Sequence, residues 1–160
     1  MPGYYQRQTC LNGHIISNSV GTPHGNAHMQ AFCSKCGEET IVSCPSCGTP
    51  QHGNLKDVMP FGDSKADAYC WNCGKPYPWT ERQFAATAEL VNEEEQLSEQ
   101  DKRLLTSSLS DLASDTPNTA LAATRFRRIV AKAGGTFKTA MYKFIVDFCS
   151  ETAKKIVLGE

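Results

Sequence analysis

At 160 residues the chain has room for one ordinary domain or two small modules. Its 40% apolar and 21% charged content, with a formal net charge of -1, excludes a disordered tail. No stretch reaches the ~18 consecutive apolar residues of a membrane span. The N-terminus, Met1 to Gln8, is polar and lacks a charged-then-apolar signal pattern, so the chain is expected in the reducing cytoplasm. Eight cysteines there require an explanation other than disulfides.

In chain order, residues 1–79 are rich in Gly, Pro, Asn and Cys. Their apolar runs are short, Ile15-Ile16, Ala31-Phe32 and Thr40-Ile41-Val42, which suits short strands and tight turns. From Thr80 the pattern turns helical. Thr80-Glu81-Arg82-Gln83 reads as a capping box and Ser98-Glu99-Gln100-Asp101 resembles another, predicting helices over about 81–96 and 99–110. After the break Ser114-Asp115-Thr116, Pro117 suits a first helical position with Thr116 as its cap, giving a helix over 117–133 that Gly134-Gly135 ends. Thr136 is expected to cap a last helix, 136–158. Its residues Phe137, Met141, Phe144, Ile145, Phe148, Thr152 and Ile156 recur on one face.

The strongest chemical signal is cysteine spacing. Cys33-Ser34-Lys35-Cys36-Gly37, Cys44-Pro45-Ser46-Cys47-Gly48 and Cys70-Trp71-Asn72-Cys73-Gly74 are three copies of C-x2-C-G. Two intervening residues let a tight turn aim both sulfurs at one ion, and the glycine adopts the backbone angles that turn amides toward the thiolates. A second tetrahedral site needs a fourth ligand pair, which Cys10-Leu11-Asn12-Gly13-His14 supplies as C-x3-H. Two Zn2+ per chain follow, one held by three cysteines and a histidine and one by four cysteines. The ligands are Cys10, His14, Cys33, Cys36, Cys44, Cys47, Cys70 and Cys73; His24, His28 and His52 are the alternatives to His14. Sequential pairing spans 18 and 22 residues, lengths that accommodate a short hairpin in each ribbon. Interleaved pairing would give a RING-like cross-brace; the seven residues Gly37 to Ser43 between the second and third pairs favour sequential ribbons.

The expected fold is therefore a small zinc-stabilised β module of two zinc ribbons, residues 1–79, followed by an all-α region of about four helices, residues 80–160. Eight ligands for two ions leave no open coordination position. The deaminase pattern, G-x-S-x-G, the phosphate-binding glycine loop and H-E-x-x-H are all absent, so no enzymatic activity is expected. Cys149, alone beside the apolar face of the last helix, reads as a small buried hydrophobe.

The succession Cys10-Leu-Asn-Gly-His14, Phe32-Cys33-Ser-Lys-Cys36-Gly37, Thr40-Ile41, Cys44-Pro-Ser-Cys47 and Tyr69-Cys70-Trp-Asn-Cys73-Gly-Lys-Pro-Tyr-Pro-Trp79-Thr80 resembles the bacterial family catalogued as domain of unknown function 2321. The similarity continues through Thr116-Pro117, Ala122 to Arg128 and Ser150 to Lys155. It implies a bacterial double zinc-ribbon protein with a helical tail, and no reaction or partner.

Charge narrows the partner. The segment balances are 0 for residues 1–80, -6 for 81–116 and +5 for 117–160. Zinc loading brings the first to about -3, a poor phosphate-binding surface. Among Phe61, Tyr69, Trp71, Tyr77 and Trp79, which could stack bases, Pro76-Tyr77-Pro78-Trp79 reads instead as a structural link between ribbons and helices. Arg125, Arg128 and Lys132 form a basic stripe, expected to meet the acidic stretch Glu89, Glu93, Glu94, Glu95, Glu99 and Asp101 in the same fold or a neighbouring subunit. The function expected is a non-enzymatic interaction module. The ribbons form a rigid head, and the helices engage a protein partner or another copy through that stripe and the face of Phe137, Met141, Phe144 and Phe148. Nucleic-acid binding by the basic helix 125–132 is the alternative.

Overall fold

The computed structural model of the chain describes residues 3–60 and 65–160; Phe61 lies outside the described residues. Contacts divide the chain into two compact units, Met1–Arg82 and Gln83–Glu160. Among the described residues no helix is long and apolar enough to cross a membrane.

The first unit is organised by strand β1, Tyr4–Cys10. On one edge β1 pairs antiparallel with β2, Ile15–Val20; the other edge takes β3, Thr40–Ile41, at its end and β4, His52–Leu55, at its start. The runs at 15–16 and 40–41 are thus strands, as their β-branched residues dictate, whereas Ala31-Phe32 contributes only a single bridge from Phe32 to Glu39. Strands β1 and β4 escape sequence reading because polar side chains fill them. Arg7, Gln8 and Thr9 are buried, and each bonds a neighbouring segment. Gln8 Nε2 donates to the Gln30 carbonyl and to Thr40 Oγ1, both at 2.8 Å. Thr9 Oγ1 donates to Gln51 Oε1 at 3.1 Å, while Arg7 reaches Asn18 Oδ1 at 2.7 Å and Asp67 at 3.2 Å. Close packing also selects Gly53 in β4, where a Cβ would lie 2.1 Å from the Asn18 carbonyl oxygen.

Between β2 and the first C-x2-C-G sits a short helix, α1, Pro23–Ala27, where only a hairpin is expected from the spacing. Pro23 opens it, and Thr22 caps it by accepting from the Gly25 amide at 2.9 Å.

Helix α2, Pro78–Glu93, begins earlier than the Thr80 capping box predicts. The Tyr77 carbonyl accepts from the Thr80 amide at 2.9 Å, and the buried Thr80 hydroxyl donates to the Ala68 carbonyl at 2.7 Å, so it does not cap. Ser98 does cap α3, Glu99–Ser107, accepting from the Asp101 amide at 3.1 Å. The predicted stretch 99–110 breaks at Ser108, whose hydroxyl turns back to the Leu104 carbonyl at 2.7 Å, and resumes as α4, Leu109–Ala113. Thr116 organises the turn before α5, Thr119–Val130, its hydroxyl accepting from the Asn118 amide at 3.2 Å; Pro117 stays in that turn.

Thr136 is not a cap, because α6, Gly135–Phe148, already starts at Gly135. The last stretch is likewise two helices. Ser150 accepts from the Ala153 amide at 3.3 Å and starts α7, Glu151–Leu158. A serine able to cap thus interrupts what apolar spacing reads as one helix. The break rotates the inward face: Ala153 and Val157 are buried in place of Thr152, which is exposed.

The core of the second unit forms around α5, which packs on α3, α4, α6 and α7. Phe126, Ile129, Leu105, Leu112, Met141 and Ile145 are fully buried there. Phe137 and Phe144, each 5% exposed, join this core, and Phe148 is half-buried between Phe84 and Phe144 with ring centroids 5.7 and 5.6 Å away. The expectation that this face is left for a partner is therefore corrected: the short helices together cover it within the chain. Cys149 is buried as expected, and burial pushes its thiol up to about 12. Of the basic stripe, Lys132 meets the acidic stretch, pairing with Asp101 at 2.7 Å. That hydrogen bond holds the Asp101 carboxyl below the usual aspartate value, and the charge of Arg128 adds to the effect.

Replacing a fully packed phenylalanine by alanine costs about 3–5 kcal/mol. Phe144→Ala is expected to lower the stability of the helical unit on that scale and leave metal content unchanged, as read by urea unfolding beside elemental analysis.

Candidate metal centres

The three C-x2-C-G turns are built alike. In each, the amide of the first cysteine donates to the carbonyl five residues on, Cys33 to Glu38, Cys44 to Thr49 and Cys70 to Lys75, all at 2.8 Å. The glycine amide returns to the carbonyl of the first cysteine at 2.8–2.9 Å. That closure requires the left-handed backbone of Gly37, Gly48 and Gly74, at φ of 75°, 73° and 71°. Single bridges, Phe32–Glu39, Ser43–Pro50 and Tyr69–Pro76, lock the residues on either side. The Cys10–His14 turn differs. Cys10 ends β1, its amide donates to the His14 carbonyl at 3.0 Å, and the Gly13 amide returns to the Cys10 carbonyl at 2.9 Å.

The turns converge in sequential pairs. Cys10, His14, Cys33 and Cys36 form one group and Cys44, Cys47, Cys70 and Cys73 the other, the donor atoms within each lying within 4.8 Å of one another. Four donors at ~2.3 Å (S) and ~2.0–2.1 Å (N) from one tetrahedral ion stand ~3.8 Å apart for S···S and ~3.6 Å for S···N. The observed separations fit: Cys10 to Cys36 3.7 Å, Cys44 to Cys73 3.8 Å, Cys47 to Cys70 3.7 Å, and His14 Nδ1 to Cys10 3.5 Å and to Cys33 3.6 Å. Donor type, number and spacing therefore suit zinc at both sites. Cys10, Cys33, Cys44 and Cys70 are buried, whereas Cys36, Cys47 and Cys73 face solvent.

Local dipoles favour the thiolates of Cys36 and Cys47, whereas the thiol of Cys73, also exposed, is pushed up. The Glu38 amide, outweighing burial, lowers the Cys36 thiol to about 6. The Thr49 hydroxyl, 3.3 Å from Cys47 Sγ, and the Thr49 amide lower Cys47 to about 6. Burial raises the Cys10 thiol; a bound dication would overcome this and deprotonate it.

The other histidines serve elsewhere. His24 in α1 and His28 at its C-terminal cap pack edge-to-face at 4.5 Å, and His52 stacks between Tyr4 at 4.0 Å and Trp71 at 4.5 Å. Tyr77 and Trp79 are buried, stacked at 4.5 Å, in a cluster with Cys44 and Cys70; the Trp79 ring also covers Gly13, and its Nε1 donates to the Asp67 carbonyl at 3.0 Å. These two rings wedge the sites in place and offer no face to a base. Tyr69 is half-buried, while Trp71 is exposed. Arg82 anchors the first site from outside, its Nη1 donating to Asn12 Oδ1 at 2.8 Å and to Glu38 Oε2 at 2.9 Å. Sequence reading misses the supports Gln8, Thr9, Gln51 and His52 because no spacing rule marks a buried amide or a stacked imidazole.

Of the partner-binding candidates, Phe137, Met141 and Phe144 are buried in the helical core, Lys132 is held by Asp101, and Arg125 and Arg128 border an open groove on α5. The family model described as an uncharacterized protein conserved in bacteria matches residues 3–157. No curated protein and no solved structure matches the chain.

Elemental analysis of folded protein is expected to give two zinc ions per chain. Cys44→Ser is expected to remove the ion of the second site and leave the first. One ion or none in folded wild type would refute the ligand assignment, and loss of both on Cys44→Ser would mean that the sites fold as one cooperative unit.

Proposed function

The chain belongs to that bacterial family, and we propose that it is a non-enzymatic interaction module in which two Zn2+ stiffen the first unit into a recognition head for a protein partner. Exposed aromatic side chains on the metal-binding turns carry this reading. Phe32, immediately before Cys33, is 65% exposed, and Trp71, inside the Cys70–Cys73 turn, is 57% exposed. Each of the two sites thus presents one large ring on its surface. Trp71 is already held, its Nε1 donating to the Pro50 carbonyl at 3.1 Å and its face lying on His52. Rigid rings of this kind gain contact area at little entropic cost, which is why they anchor protein interfaces.

The closed ligand sets support a structural role for the metal, since four protein donors complete a tetrahedron with no position for water or substrate. The negative charge that thiolates bring to a neutral segment favours a protein over a phosphate backbone. Seven cysteines grouped as metal donors and one buried, none in a disulfide, suit the cytoplasm. The helical unit, whose apolar core is satisfied, contributes surface charge and engages another copy.

The test is affinity capture from native cell extract, with and without nuclease, using wild type and Phe32→Ser/Trp71→Ser. A partner retained after nuclease and lost in the double variant, with two zinc ions still bound, is the expected result. Retention by the variant, or release by nuclease, would overturn the reading.

A further inference from the structure

Helix α5 carries a groove of about 300 Å³ against α3, lined by Leu104, Leu121, Thr124, Arg125 and Arg128. Its composition is unusual for a surface. Leu121 is 50% exposed, and two guanidinium groups one turn apart stand beside it with no carboxylate in the lining. Among the described residues neither Arg125 nor Arg128 makes a close ion pair or hydrogen bond; the direct pairing of the basic and acidic segments within one chain is Lys132–Asp101, with the charge of Arg128 acting on Asp101 from farther off. A ligand for this groove needs carboxylates spaced about one turn apart with an apolar side chain beside them.

The chain itself displays that pattern. On α2, positions 86, 89, 90 and 93 fall at i, i+3, i+4 and i+7, one exposed stripe of Ala86, Glu89, Leu90 and Glu93. Leu90 is 38% exposed, and neither glutamate has an ion-pair partner among the described residues. Each patch carries two like charges about one turn apart beside one exposed leucine, and the two patches are opposite in sign. We propose that the Glu89/Leu90/Glu93 stripe of one copy seats in the Arg125/Arg128 groove of a second copy. This identifies the surface for the copy-to-copy contact in the function proposed above and rests on that part of it. The two patches differ, so the contact is heterologous. Because exposed charges dominate it, it weakens with salt.

Sedimentation of the full, zinc-loaded chain tests the contact. Wild type is expected to associate at low salt and to lose affinity at least about tenfold when salt is raised past the screening range. Arg125→Glu/Arg128→Glu and Glu89→Arg/Glu93→Arg are each expected to run as monomers with unchanged circular dichroism and zinc content. Mixed together, they should associate again, because each then offers the complement of the other's altered patch. If a reversal unfolds the chain, Arg125→Gln/Arg128→Gln makes the same comparison. Monomeric wild type, association persisting in either double variant, or a mixture that stays monomeric would overturn the proposal. So would a groove that leaves wild type monomeric but binds a short DNA duplex through Arg125 and Arg128. None of these variants touches Phe32 or Trp71, so the outcome is separable from that of the recognition head.

Discussion

Four donor atoms must be held at tetrahedral spacing twice over, in a segment whose strands are as short as two residues. Everything in the first unit follows from that constraint. Each ligand set draws on two turns far apart in sequence, and neither set can form until the intervening chain is folded back. The three C-x2-C-G turns solve the local half of the problem by pre-aiming paired sulfurs through a left-handed glycine. The long-range half falls to β1, which ends in Cys10 and is paired along both edges. A metal ion at either site would supply free energy that the sparse apolar contacts around its turns cannot.

What stands in for a hydrophobic core here is a set of buried amide and hydroxyl groups. Gln8 grips the Gln30 carbonyl and Thr40, Thr9 meets Gln51, and Gln51 Nε2 donates to the Ile41 carbonyl at 3.2 Å. These bonds tie β1 to the segments that carry Cys33, Cys36 and Cys44, extending the short ladders with side chains. Among the described residues no buried side-chain nitrogen or oxygen lacks a partner, the condition under which such a polar interior is tolerated. The apolar exception, Tyr77 and Trp79 with Cys44 and Cys70, sits where large rings fill the space between the sites.

The helical unit follows a different logic. Its apolar faces are individually thin, yet α3, α4, α6 and α7 pack on α5 so that Phe137, Met141, Phe144 and Ile145 are covered. Serines divide two of the expected helices and let the pieces turn inward at different angles. Once the core is satisfied internally, what remains for recognition is charge with an occasional exposed leucine, Leu90 on α2 and Leu121 on α5. The two units thus expose different chemistries, aromatic on the metal-binding turns and charged on the helices.

The seven cysteine donors, the closed turns, the Ser98 cap and the helical stretches were legible in sequence because each is a local rule: spacing sets where two sulfurs can point, and apolar recurrence marks a buried helical face. Strand β1 was illegible because Arg7, Gln8 and Thr9 are buried, and Gln6 half-buried, through hydrogen bonds, which leave no hydrophobic alternation to read. An amphipathic stripe states that a face is covered and never by what. Phe144 therefore read equally well as interface or core until α5 and its neighbours were placed against it. The same holds for His14 and the order of the ligand pairs. The choice among four histidines, and between sequential and interleaved sites, depends on which turns the β1 pairings bring within reach, a long-range geometry that only the folded chain decides.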